Sequence, residues 1–379
     1  MRIAIIAESD PVESRVAASP ETVKRLVAQG ASIVIQSGSG ILSGMTDDDF
    51  ATAGATIAKT AKDALKDADI VLKVRRPSSA EIKLIKKGAL VLAIMDPYDS
   101  AEALAAMAAA GLTTFSMELM PRITRAQVMD VLSSQANLAG YRAAIDAASD
   151  YGRGMPMMMT AAGTVPAAKV FVMGAGVAGL QAIATARRLG AVVTATDVRP
   201  AAKEQVASLG AKFVAVEDEE FKQAETATGY AKPMSAEYQA KQSALVAAHI
   251  AKQDIVITTA LIPGRPAPKL VSEAMVNSMR AGSVIVDLAV ERGGNVALAK
   301  AGETVLTANG VKIIGHLNVP GRVPASASAL YAKNLFSFLE TMIDKTTNAL
   351  AINWEDELVK ATNLTRDGAI VHPDFQPKA

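Results

Sequence analysis

Gly174, Gly176 and Gly179 stand at the spacing G-x-G-x-x-G, and a carboxylate, Asp197, follows about 20 residues on. Residues of these types at this spacing can fold backbone around a pyrophosphate. Gly174 permits a tight turn, Gly176 removes the side chain that would keep a phosphate away, and Gly179 lets a helix close on a strand. Val177 and Ala178 lie between them, where the free N–H groups and dipole of a helix start attract an anion. Alone the motif is weak, because it arises by chance in glycine-containing chains. Here residues 169–173 read as a strand before it and 180–189 as a helix after it, and Asp197 ends the next strand. The bland alternative is a left-handed turn in a sheet protein without a ligand.

Asp197, followed by Val198, suits the hydroxyls of an adenosine ribose and repels a 2′-phosphate, which favours NAD(H) over NADP(H). Arg199 is the dissenting residue, since an arginine near this position can accept that phosphate. Thr259, Ala260 and Leu261 follow one later strand and Asn318 another. Open α/β sheets bind ligands at such strand ends, although ordinary loop capping would explain each of these residues equally well.

The elements that must position these groups alternate along the whole chain. Apolar runs at 3–8, 32–36, 70–74, 90–95 and 113–117 read as buried strands with alanine-rich helices between them. Ser19-Pro20-Glu21 opens one such helix, with serine as cap and proline in the first turn. A second series, 169–173, 192–196, 212–216, 255–259, 283–288 and 312–315, has the six strands of a dinucleotide-binding fold. The stretch 124–151 reads as one long helical segment linking the two. Residues 217–235 break the cadence with charge, alanine and threonine, and a connection of that length is usually functional or mobile. Helices are expected over 236–252 and 327–343, and 363–370 reads as a hairpin turning at Arg366-Asp367-Gly368. Met157-Met158-Met159 reads as packing filler and Trp354 as a packing anchor.

The expected architecture is α/β, with two Rossmann-like domains on parallel sheets, linked by long helices. One domain comprises 1–128 and 327–379 and is discontinuous in sequence; the nucleotide-binding domain comprises 129–326. A chain of 379 residues, half of them apolar, has the material for two such cores. With 39 basic against 38 acidic residues and no run of either, nothing favours a nucleic-acid partner. The absence of cysteine rules out disulfides and thiolate chemistry. His249, His316 and His372 are scattered, so no metal site is expected. No uncharged apolar run reaches about 18 residues, and a soluble protein is expected.

Met117-Glu118-Leu119-Met120-Pro121-Arg122-Ile123-Thr124-Arg125-Ala126-Gln127, then Asp130, Ser133-Ser134-Gln135 and Asn137-Leu138-Ala139-Gly140-Tyr141, resemble the alanine dehydrogenase and transhydrogenase superfamily. Glu8, Glu13-Ser14-Arg15-Val16 and Pro20 are similar to its amino-terminal signature. Residues 156–164 and Gly229-Tyr230-Ala231-Lys232 resemble marks of one branch, the NAD(H)-binding component of proton-translocating transhydrogenases.

The resemblance implies a polar cluster near the nicotinamide, formed by Arg122, Gln127, Asp130 and Ser133, and a loop tyrosine, Tyr230, that closes over the nucleotide. At spacings of three, Gln127, Asp130 and Ser133 can share a helix face, and a solvated face with a capping pair is the bland alternative. The resemblance also implies a homodimer, Re/Si-specific transfer, and activity only with an NADP(H)-binding partner and a membrane-spanning subunit that moves protons. It would place the chain on the cytoplasmic face of a bacterial plasma membrane. As the sequence contains no membrane span, those components are expected on separate subunits.

Two other functions compete. An alanine-dehydrogenase-like enzyme would use Arg15 and Lys73 for a substrate carboxylate and a histidine after the strand at 90–95, but Met95-Asp96-Pro97-Tyr98-Asp99 stands there. A non-catalytic NAD-binding subunit would share every glycine feature and lack only the polar cluster. Direct hydride transfer between two nucleotides needs no acid or base, only two rings oriented in contact.

Overall fold

The computed structural model describes residues 1–224, 234–344 and 346–376. Gly229 and Tyr230 lie outside them. The chain divides into two compact units, Met1–Gln135 with Pro320–Ala379, and Ala136–Val319. The sequence places these turning points at 128/129 and 326/327.

The first unit opens with six strands, β1 (Arg2–Ile5), β2 (Ser32–Gln36), β3 (Thr56–Ala58), β4 (Ile70–Arg75), β5 (Leu90–Ile94) and β6 (Thr113–Ser116). Helix α1 (Pro20–Ala28) starts as expected, with the Ser19 side chain accepting the Thr22 N–H and proline in the first turn. The chain then runs into α2 (Val131–Asp150), within which the division between units falls. The second unit holds a hairpin, β7 (Met158–Thr160) and β8 (Gly163–Val165), followed by β9 (Lys169–Met173), helix α3 (Val177–Arg188), β10 (Val192–Thr196), β11 (Lys212–Phe213), helix α4 (Ala236–Ile250), β12 (Ile255–Thr258), β13 (Val284–Asp287), β14 (Thr304–Leu306) and β15 (Lys312–Ile314). Helix α5 (Pro324–Glu340) and the hairpin β16 (Asn363–Arg366) and β17 (Ala369–Ile370) return the chain to the first unit.

Both sheets are doubly wound. The first runs β17-β16-β6-β5-β4-β1-β2-β3, the second β11-β10-β9-β12-β13-β15-β14. Each chain segment thus works outward on one side and then crosses back, so strand order reverses between β1 and β4 and between β9 and β12. Neither sheet is purely parallel. β16 and β17 are antiparallel in the first, and β14 in the second.

Alternate residues of the central strands feed two cores, one per face. Ile3 and Ile5 join one cluster, Ala4 and Ile6 the other. Val170 and Val172 face one side of the second sheet, Phe171 and Met173 the opposite side. Strands buried on both faces lose the polar alternation of a one-sided sheet, which is why they read as apolar runs. Ala143, Ala144 and Ala147 of α2 pack into one of these clusters. Their small side chains bring helix and sheet close.

Several local expectations need correction. Residues 124–151 are not one helix. A 3-10 turn, Thr124–Met129, ends at an extended Asp130 before α2 begins. Met157, Met158 and Met159 do not pack in a core; Met159 is 80% exposed, beside or within β7. Strands β3 and β14, three residues each, went unread, and the expected strand at 212–216 shrinks to β11. The hairpin of β16 and β17 matches its reading, with Asp367 and Gly368 both at positive φ as a type I′ turn requires. Trp354 stacks on Phe115 at 6.3 Å and carries Arg366 over its ring.

Candidate functional site

In the second unit, three glycines end β9 and begin α3, and each answers a different demand. Gly174 has φ +104°, and a Cβ there would come within 2.5 Å of the Thr259 Oγ1. A Cβ on Gly179 would lie 1.8 Å from the Gly174 carbonyl oxygen, so only glycine lets α3 close on the strand. Gly176 is different. Its backbone is extended, and no atom of the described residues lies within 4 Å of where a Cβ would stand. The fold does not require glycine at this position, whereas an anion approaching the backbone would.

Among the described residues, no side chain caps α3 at Gly176. The first-turn N–H groups at Val177 and Ala178 therefore keep their donor capacity at the positive end of a 12-residue helix. Helix α2 braces this corner closely. A Cβ on Gly140 would meet the Ala178 carbonyl oxygen at 2.0 Å, and the Asn137 amide donates to Gln181.

Asp197 ends β10 with its carboxylate turned onto the glycine turn. Oδ2 accepts the Ala175 N–H at 2.7 Å, and Oδ1 accepts the Arg199 N–H at 2.9 Å. The Arg199 guanidinium folds back on the same carboxylate, with Nε 2.9 Å from Oδ1 and Nη2 3.1 Å from Oδ2. Val198 between them is exposed.

The loop after β12 lies against the turn. Thr259 Oγ1 donates to the Gly174 carbonyl at 3.1 Å. Ala260 is gripped by a wholly buried Asn295, whose Oδ1 accepts its N–H and whose Nδ2 donates to its carbonyl. Leu261 is exposed. Asn318 is buried at φ 46° and its N–H donates to Glu291. Gly174, Gly176, Gly179, Asp197, Thr259 and Ala260 thus come together where strand order reverses. Asn295 escaped the sequence reading because an asparagine after Gly293-Gly294 looks like any turn residue.

In the first unit, Arg122 and Gln127 are exposed, the second on the 3-10 turn. Asp130 caps α2: its carboxylate accepts the Ser133 N–H at 2.9 Å and the Ser133 hydroxyl at 2.5 Å. Gln127, Asp130 and Ser133 therefore do not share one helix face. Tyr230 lies outside the described residues.

The reversal point of the first sheet is filled by charge. Lys73, with no exposed surface, sits between Glu8 at 3.2 Å and Glu81 at 3.1 Å. Glu13 takes a two-pronged bond from Arg15 at 2.7 Å each and a third from Arg75 at 2.9 Å. Arg15 also donates to Gln135 at 2.8 Å. Burial alone would raise the Glu13 carboxyl, but the bonds and charge of Arg15, then the charge of Arg75, outweigh it and hold it at about 2. For Glu8 the balance is reversed. Burial outweighs Lys73 and pushes the carboxyl up. Glu118, after β6, is likewise raised by burial against bonds from Ser116, Asp96 and Met95. It holds the loop after β5, where Asp96 stands at φ 48°.

Residues 4–139 match the family model described as alanine dehydrogenase/PNT, N-terminal domain, and residues 143–373 that of the C-terminal domain. The chain is 56% identical to an NAD(P) transhydrogenase subunit alpha chain of Rhodospirillum rubrum over 378 residues, 98% of each chain. The solved transhydrogenase of Sinorhizobium meliloti superposes with a TM-score of 0.90 at 65% identity, covering 98% of this chain and 100% of that one. A solved L-alanine dehydrogenase gives 0.80 at 26% identity, over 99% and 98%. With both family domains matched in sequence and fold, the chain belongs to the alanine dehydrogenase/PNT family.

Proposed function

We propose that the chain is the NAD(H)-binding subunit of a proton-translocating transhydrogenase, passing hydride from NADH to NADP⁺ held by a partner protein. The observation that carries this reading is the 56% identity across 98% of both chains to a transhydrogenase alpha subunit. NADH, when bound, supplies the hydride. This chain's residues bind and orient it. The N–H groups opened by Gly176 hold the pyrophosphate, Asp197 takes the ribose hydroxyls, and Thr259, Ala260, Leu261 and Asn318 line the strand ends. Arg122, Gln127, Asp130, Ser133 and Tyr230 are the nicotinamide-side group, able to orient a carboxamide without removing a proton.

The main alternative, oxidation of a small amino acid, needs a proton acceptor and a cation for the carboxylate. No histidine follows β5, and Arg15 and Lys73 already hold internal carboxylates. The chain acts as a homodimer, joined through an NADP(H)-binding component and a membrane-spanning subunit to the cytoplasmic face of a bacterial membrane, where transfer is coupled to proton movement. The test mixes the chain with an NADP(H)-binding partner and follows NADH oxidation against NADP⁺ reduction. Equal and direct transfer is expected. Turnover of alanine with NAD⁺ by the chain alone, and none with the partner, would overturn it.

A further inference from the structure

We propose that Arg199 is a 2′-phosphate-binding residue kept out of use by Asp197, so that the pair, and not the carboxylate alone, sets the choice between NAD(H) and NADP(H). This rests on the nucleotide-binding reading above.

The Asp197 carboxylate has about four lone-pair sites. The protein already directs four donors at it: the N–H groups of Ala175 and Arg199, and Nε and Nη2 of the Arg199 side chain. Two of these are backbone and cannot leave without unmaking the glycine turn. The other two belong to a side chain that is 32% exposed, against 7% for Asp197. Nη2 also donates to the Ala175 carbonyl at 3.3 Å, so the guanidinium lies across the turn itself. A ribose hydroxyl that needs Asp197 must therefore take the place of Arg199, which turns outward into water.

The pairing also cancels charge. Arg199 presents a planar fork suited to a phosphate, but with its charge matched by Asp197 it offers a 2′-phosphate no net attraction. A phosphate drawing the guanidinium away would leave the carboxylate bare beside it. Neutralising Asp197 removes both obstacles at once. Arg199 is then released, at the place where a 2′-phosphate would stand.

The experiment measures NADH and NADPH dissociation constants for the intact chain by calorimetry. The variants are wild type, Asp197→Asn and Asp197→Asn with Arg199→Ala. Asparagine keeps an oxygen for the Ala175 N–H, and Asp197→Ser provides the same comparison should that variant not fold. Wild type is expected to hold NADH at least tenfold tighter than NADPH. Asp197→Asn should tighten NADPH at least tenfold, and removing Arg199 from it should reverse that gain. An Asp197→Asn chain with unchanged NADPH affinity, or a gain that survives loss of Arg199, overturns the proposal. Wild type binding neither nucleotide overturns the underlying NAD(H) reading instead, and this inference with it.

Discussion

The two units reverse their strand order in the same way, between β1 and β4 and between β9 and β12, yet they treat the crevice at that point differently. In the first unit it is occupied by side chains that satisfy one another: Glu8, Lys73 and Glu81 in one group, Glu13, Arg15, Arg75 and Gln135 in the other. In the second it is lined by backbone, kept bare by glycine and by a helix without a side-chain cap among the described residues. One fold therefore gives two outcomes. A reversal point filled with paired charges gains rigidity, and one left as exposed N–H groups retains capacity for an anion.

The comparison breaks most visibly at the glycines. Gly179→Ala would drive a methyl group into the Gly174 carbonyl, parting α3 from β9. A loss of at least about 3 kcal/mol is expected, together with loss of NADH binding. Gly176→Ala should do the opposite to stability. With φ −76° and open space around it, the variant should be as stable as wild type or gain about 0.5 kcal/mol, while NADH binding weakens at least tenfold. Thermal denaturation with parallel NADH titration reads both. Unchanged NADH affinity in Gly176→Ala would mean that the open face is not where the ligand sits.

On the other side, Arg15→Ala should leave Glu13 buried with Arg75 as its remaining charged partner among those described. Breaking a buried pair from one end costs about 3–5 kcal/mol, readable by urea unfolding. A loss under about 1 kcal/mol would reduce the network to surface-like pairing.

The two sides of this contrast differed in how plainly the sequence carried them. Strands such as KVFVM and LVLAI were legible because burial on both faces leaves an unbroken apolar run. Thr56–Ala58 and Thr304–Leu306 were not, being three-residue edge strands with half-exposed faces. The glycine turn was legible because its constraint is local. The charge network was not, although Glu8, Glu13, Arg15 and Lys73 all stood out as landmarks, since pairing Glu8 with Lys73 depends on which strands become neighbours. Asp130 and Ser133 misled for a simpler reason. A spacing of three describes a shared helix face and an N-cap equally well, and the extended backbone at Asp130 decides between them.

Glu13 offers a sharper test of the closed side through pH. Its folded value of about 2 lies below the ordinary 4.5. Its contribution is therefore complete above the unfolded value and is lost as pH falls toward the folded one. The shift corresponds to about 3 kcal/mol, of which about 2 kcal/mol disappears between pH 6 and pH 3. Glu8 and Glu118, both raised, act with the opposite sign and blunt the fall in wild type. The stability gap between wild type and Glu13→Gln isolates the one group, and it should narrow by that amount on acidification. A gap independent of pH would show that Arg15 and Arg75 do not hold the carboxylate low.

The smallest expected effect separates support from chemistry at Asp130. Its carboxylate caps α2 through Ser133, a role that alone would explain both residues. Asn caps helices about as well as Asp, so Asp130→Asn should leave the melting temperature nearly unchanged, whereas Asp130→Ala should cost about 1 kcal/mol. If the pair also orients the nicotinamide, Asp130→Asn should slow hydride transfer to a partner's NADP⁺ several-fold despite its intact cap. Transfer rates that follow stability alone, falling in Asp130→Ala and not in Asp130→Asn, would make Asp130 a helix cap and nothing more. The nicotinamide-side group would then contract to Arg122, Gln127 and Tyr230, and the first unit's share in the chemistry would rest on exposed side chains before the helix.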